Sequence, residues 1–251
     1  MFRPRIIPVL LLKNKGLVKS KKFKDFRYIG DPINAVKIFN DLKADELTFL
    51  DIDASTQGRL ISLELIKDIG EEANMPFAVG GGIRRIEDIR KIINAGAEKV
   101  IINAYAVENP DFVREAADTF GSSTIAVCMD VKKKLFGKLE TWTYNATKST
   151  GYDPVRFAKL MEEKGAGEII VQSVEKDGLM TGYDIDLIRQ VSNAVSIPVV
   201  ALGGAGNIQH LRDAFNEGHA NGLAAGSMFV YQGAKHGVLI NYPDSAELKF
   251  Y

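Results

Sequence analysis

A chain of 251 residues, 46% hydrophobic and 25% charged, can bury a sizeable core, and 32 basic against 32 acidic residues leave a formal net charge of +0. That balance gives neither a nucleic-acid footprint nor a cationic membrane surface, so any basic site must be local. The single cysteine, Cys128, cannot form an internal disulfide, and its apolar neighbours point to a buried structural thiol in a protein of the reducing cytoplasm.

The first apolar run, Ile6 to Leu12, follows Arg3 and Arg5, contains Pro8 and stops at Lys13-Asn14-Lys15. It reads as a buried strand rather than a targeting segment. No apolar stretch approaches the roughly 18 to 20 residues of a membrane-spanning helix. Further strand candidates follow at Glu46 to Asp51, Phe77 to Val79, Lys99 to Asn103, Thr124 to Asp130, Glu168 to Ser173, Val199 to Ala201 and Gly222 to Ala225. Segments of helical spacing lie between them, among them Pro32 to Leu42, capped by Asp31, and Pro154 to Lys164, capped by Asp153. Strand runs alternating with helices over the whole length predict an α/β protein, a (βα)8 TIM barrel in one domain spanning residues 1–251.

Aligning Asp31-Pro32 with Asp153-Pro154 sets an offset of 122, which also pairs Glu46 with Glu168, Gly81-Gly82 with Gly203-Gly204, and Gly96 with Gly218. The barrel is thus read as an internal duplication of half-barrels, approximately 1–121 and 122–251. The two longest connections, Lys13 to Gly30 and Lys132 to Gly151, follow the first and fifth strands and are candidate lids over the C-terminal face.

Two glycine loops, Val79 to Ile83 and Ala201 to Asn207, each lie between a strand and a helix, where backbone amides can meet an anion. The same glycines would serve a tight turn, but two equivalent loops favour a ligand with anionic groups at both ends. Asn103-Ala104 and Ala225-Gly226-Ser227 end the next strand in each half and offer room and donors. The candidate phosphate contacts are therefore Gly81, Gly82, Asn103, Gly203, Gly204, Gly226 and Ser227. Carboxylates at strand ends, Asp51, Asp53, Asp130, Glu175 and Asp177, could face the mouth. Asp130 is the candidate general acid or base, an exposed carboxylate ending an apolar strand, with a loop cap or a salt bridge to Lys132, Lys133 or Lys134 as the alternative. Its counterpart in the first half is Leu11. Arg5, Glu46, Lys99 and Glu168 sit at the opposite strand ends, where spacing alone fits either a sealing ion-pair network or a functional ring. His210, His219 and His236 are dispersed without metal-ligand spacing, so no metal is expected, and nothing calls for a cofactor. Trp142 and Tyr144 read as anchors of their own loop rather than ligand contacts.

Arg5 to Pro8, Gly30-Asp31-Pro32, Ala44 to Leu47, Phe49 to Ile52, Val79 to Ile83, Ala106 to Pro110, Gly165 to Glu168 and Asp177-Gly178 together resemble HisF, the cyclase subunit of imidazole glycerol phosphate synthase. The resemblance covers nearly the whole chain. It implies a cytoplasmic barrel that receives ammonia from a HisH-type glutaminase on its N-terminal face. Arg5, Glu46, Lys99 and Glu168 then match the gate of an ammonia channel. It also implies a phosphorylated ligand at the mouth, with Lys19, Asp51, Asp177 and Gly178 as further contacts. Of the two acid/base aspartates of the family, at the ends of strands one and five, this sequence keeps Asp130 and has Leu11 in place of the other. Ala104 and Gln172 stand where the family has threonines. The run Pro8 to Asn14, with Leu17-Val18-Lys19 and Lys22-Phe23-Lys24, is most similar to a HisF-like branch associated with acetamidino modification of surface sugars. That branch commonly sits in lipopolysaccharide or O-antigen gene sets and is expected to supply ammonia to a sugar amidotransferase. The alternatives are imidazole glycerol phosphate synthesis itself and a non-catalytic ammonia conduit and allosteric scaffold.

Overall fold

The computed structural model describes residues 3–134, 137–233, 236–244, 247, 248 and 250. Eight parallel strands form the barrel: β1 (Arg5–Lys13), β2 (Leu47–Asp51), β3 (Phe77–Gly80), β4 (Lys99–Ile102), β5 (Ile125–Lys133), β6 (Glu168–Ser173), β7 (Val199–Leu202) and β8 (Gly222–Ala225). Each pairs with the next, β1 pairs with β8, and pairing of β6 with β5 completes the ring. The predicted runs all appear, with ends moved by up to three residues; β5 moves most, running to Lys133 rather than stopping at Asp130.

Alternation along the strands divides the core in two. In β1, Ile6, Leu10 and Leu12 belong to the outer layer beneath the helices, whereas Ile7 and Val9 point into the barrel with Leu11 packed against them. Cys128 lies in the inner layer, buried as its neighbours suggested. The helices cover the outer layer through apolar stripes; Pro32–Asp41 buries Pro32, Ala35, Val36 and Phe39, a spacing that keeps one face inward. Full burial of a side chain such as Phe39 contributes about 2 kcal/mol. Asp31 and Asp153 accept from the amides of Asn34 and Arg156, so the two equivalent helices start on equivalent caps. After β8, among the described residues, a 3-10 turn at Ser227–Phe229 and a short hairpin of Tyr231–Gln232 with Gly237–Val238 replace a long helix.

The expected lid loops are instead β-hairpins continuous with the barrel. β1 runs on into antiparallel pairing with Gly16–Lys21, which pairs with Lys24–Gly30; β5 pairs likewise with Leu139–Thr143, and that strand with Lys148–Ser149. Asn14 and Lys15 have φ of 49° and 65°, and Lys22 and Phe23 of 52° and 61°. Two successive left-handed residues match the twist of a tight hairpin turn. The register supports the duplication: Leu11 lies beside Leu50, Asp130 lies beside Gln172, and residues 50 and 172 differ by the offset of 122 found in the sequence. Leu11 and Asp130 are thus equivalent positions.

Candidate functional site at the barrel mouth

A cavity of about 150 Å³ opens at the C-terminal ends of the strands. Its floor includes Val9, Leu11, Leu50, Ile101, Cys128 and Leu202; Asp51, Asp130, Gln172 and Asp177 supply polar groups; Lys19, Ser20, Tyr144 and Asn145 come from the hairpins. The glycine loops of both halves meet there, bringing together Gly81, Gly82, Asn103, Gly178, Gly203, Gly204, Gly226 and Ser227. Gly82 and Gly204 have φ of 69° and 111°, and a Cβ would lie 1.8 Å from the Arg59 carbonyl oxygen or 2.2 Å from that of Gly182. Each loop therefore needs glycine to pack on a neighbouring backbone, a requirement that exists with or without a ligand.

Asp130 is buried, at 7% exposure, which corrects the expectation of an exposed strand-end carboxylate. It lies within β5, opposite Trp142 of the hairpin. No ion pair joins it to a lysine among the described residues: Lys134 pairs with Glu140, and Lys132 lies over the Trp142 ring at 4.4 Å. Burial raises its carboxyl to about 7, with the negative charge of Asp177 adding to the shift against a hydrogen bond from Asn103. A carboxyl titrating there can accept or return a proton near neutral pH.

Lys19 is equally enclosed. Its ammonium donates to the Val9 carbonyl and lies against Gly226, where a Cβ would be 2.6 Å away. Burial lowers it to about 8, partly opposed by Asp177. Asp177 fastens the first hairpin, accepting from Ser20 Oγ at 2.7 Å and the Phe23 amide at 3.2 Å. Its own carboxyl is raised by burial. Asp51 lines the cavity but is engaged by Arg59 at 2.6 Å and by the amides of Asp53 and Ala54. Asp53 pairs with Lys13 and Glu175 accepts from the Lys133 amide; neither lines the cavity.

At the opposite end, Arg5 bridges Glu46 and Glu168, and Lys99 Nζ lies 3.7 Å from the first and 3.5 Å from the second. The four residues are contiguous, and burial raises the Glu46 carboxyl. Above them a void of about 10 Å³, room for one water-sized molecule, is walled by residues including Ile7, Thr48, Ala78, Ile170, Val200 and Ala224. Val9, Leu50, Ile101, Cys128 and Leu202 line both this void and the mouth cavity, so the two are neighbours along the barrel axis.

The Histidine biosynthesis protein family model matches residues 5–235. The chain belongs to this family, of the HisF type. It is 45% identical over 250 residues to a Vibrio vulnificus protein described as "Putative imidazole glycerol phosphate synthase subunit hisF3", covering 99% of this chain and 96% of the relative. Similarly described HisF proteins of Leptospira borgpetersenii and Pseudomonas aeruginosa are 44% and 43% identical, each alignment spanning at least 98% of both chains.

Several cavity residues were not singled out as ligand contacts from the sequence. Ser20, Arg84, Tyr105 and Asn145 line the mouth, and Tyr144, read as a loop anchor, does so too. Tyr144 receives a 2.7 Å hydrogen bond from Arg84 and donates to Glu108. The signal was available only as the adjacency of Arg84 to a glycine loop. Among the described residues no cluster of His, Cys, Asp and Glu could hold a metal ion, and no helix is long and apolar enough to cross a membrane.

Proposed function

We propose that this HisF-family protein is an ammonia-receiving synthase subunit of the imidazole glycerol phosphate synthase type, partnered by a HisH-type glutaminase on the N-terminal face. The observation that carries the reading is the axial sequence of charged ring, enclosed void and mouth cavity, with Val9, Leu50 and Leu202 common to both spaces. Ammonia entering through the ring formed by Arg5, Glu46, Lys99 and Glu168 would reach Asp130. The two glycine loops hold the anionic ends of a phosphorylated ligand, with Lys19 beside Gly226 as a cation. The descriptions of the relatives favour the cyclase reaction of histidine biosynthesis, in which Asp130, titrating at about 7, serves as acid and base in turn.

Leu11 favours a second reading. An aliphatic side chain transfers no proton, and loss of one member of an acid/base pair costs on the order of 100-fold or more in rate. In that reading the ammonia serves acetamidino modification of a surface sugar and passes to a sugar amidotransferase. The complex with its cognate glutaminase, given the nucleotide substrate of the histidine enzyme and either glutamine or ammonium, separates the two. Imidazole glycerol phosphate formation by the unaltered protein supports the cyclase. Activity only in Leu11→Asp, with the glutaminase complex intact in both, supports the sugar pathway.

A further inference from the structure

The two glycine loops carry different side chains. The offset of 122 sets Gly206 against Arg84 and Ser227 against Tyr105. In the second half the Gly206 amide is occupied by His210 Nδ1 at 3.1 Å, and the nearby cation is Lys19, delivered by the first hairpin. In the first half the cation belongs to the loop itself. Arg84 follows Gly82 by two residues, lines the mouth cavity, and lies over the Tyr105 ring with its guanidinium carbon 5.3 Å from the centroid.

Arg84 is held, but not used up. Nη2 makes both its hydrogen bond to Tyr144 and its ion pair with Glu108 Oε2 at 3.3 Å, leaving Nε and Nη1 for another acceptor. The two side chains are 40% and 28% exposed, and so hydrated an ion pair is readily exchanged. A phosphate-like group offering two oxygens to one guanidinium is the stronger partner. Tyr144, Asn145 and Ala146 have φ of 53°, 55° and 55°, a run of left-handed residues that needs external support. Asn145 Nδ2 supplies it by donating to the Ile52 carbonyl at 3.0 Å, pinning the tip of the second hairpin to the segment that follows β2.

We propose that Arg84 is the anion-binding side chain of the first-half loop, and that Tyr144 and Glu108 hold it ready, Glu108 as the counter-ion that the ligand's anionic group displaces. The inference rests on the reading of the mouth as a phosphorylated-ligand site and adds a specificity-determining residue to it. A ligand then meets two unlike ends, a fixed guanidinium on one side and a buried, titrating ammonium on the other.

The test is a titration of the full chain with inorganic phosphate, following the amide resonances of Gly82 and Gly204 as separate reporters of the two loops. Arg84→Gln is expected to weaken binding at Gly82 by on the order of ten-fold while leaving Gly204 unchanged. Glu108→Gln is expected to tighten binding at Gly82 several-fold, a gain that a purely structural ion pair would not give. The dispersion of the same spectra reports whether each variant is folded. Unchanged affinity at Gly82 in both variants, with phosphate still bound, overturns the role of Arg84 and leaves the phosphate-site reading standing. No response at either loop in the unaltered protein overturns that reading and this inference with it.

Discussion

Asp130 shows how burial and chemistry trade against each other at a single residue. With its carboxyl raised from 3.8 to about 7, the folded chain holds a proton between those values that the unfolded chain has already released. Stability linked to this group therefore falls as pH rises through that interval, and the full penalty is present above about 7. Asp130→Asn should raise the melting temperature by several degrees at pH 8 and by much less at pH 5, as thermal scans at the two values would show. In the cyclase reading the same substitution abolishes turnover. The sequence placed Asp130 at the mouth and Leu11 opposite it, because both occupy matching strand positions. It did not convey that Asp130 is enclosed, since that depends on β5 running on past Asp130 into pairing with Leu139–Thr143, which the loop reading did not foresee.

The two hairpins are the elements that the sequence described least well. The turns of the first, at Asn14-Lys15 and Lys22-Phe23, lack the glycine that usually announces a tight turn, as does the Tyr144-Asn145-Ala146 turn of the second, so the segments read as loops. The second hairpin is held by Glu140, which accepts from Gly151 at 3.0 Å and from Ser149 and pairs with Lys134 at 2.6 Å. Burial pushes its carboxyl up, but these three partners outweigh it and draw it down to about 2. The sign is opposite to that of Asp130. The anchoring is complete above the ordinary glutamate range and is lost as pH falls toward about 2. Glu140→Gln should leave the barrel folded and speed amide exchange across Leu139–Thr143 at neutral pH. Unaltered protection there would mean that strand pairing alone holds the hairpin. The barrel strands were legible by contrast, because they are largely buried on both faces and built mostly of apolar residues.

Across the whole molecule the duplication was the most legible feature, since its offset of 122 survives in caps and glycine loops and changes only to 119 at the first and fifth strands. The ring at the N-terminal face was visible as four charges, but its connectivity was not. Arg5 alone touches both carboxylates directly, with Lys99 farther from each. Removing it would leave two largely buried carboxylates with one cation between them. Arg5→Ala should cost about 3 kcal/mol by urea denaturation, the low end for a broken buried pair because Lys99 stays near both carboxylates. In complex with a glutaminase, it should also lower the yield of product per glutamine hydrolysed more than the rate with free ammonium. Equal losses with both nitrogen sources would assign the ring to stability alone.

The walls between the ring and the mouth carry a further consequence. Ile7, Val9, Ala78, Ile101 and Val200 offer no lone pair, and Thr48 is the one neutral hydroxyl among residues lining the inner void. An ion moved into such a sleeve loses its hydration and gains almost nothing in return. The other polar side chain between the charged ring and the mouth is the Cys128 thiol, which burial keeps protonated and uncharged. The sleeve thus sorts by charge: a small neutral molecule crosses it at little cost, whereas its protonated form would have to shed its hydration to follow.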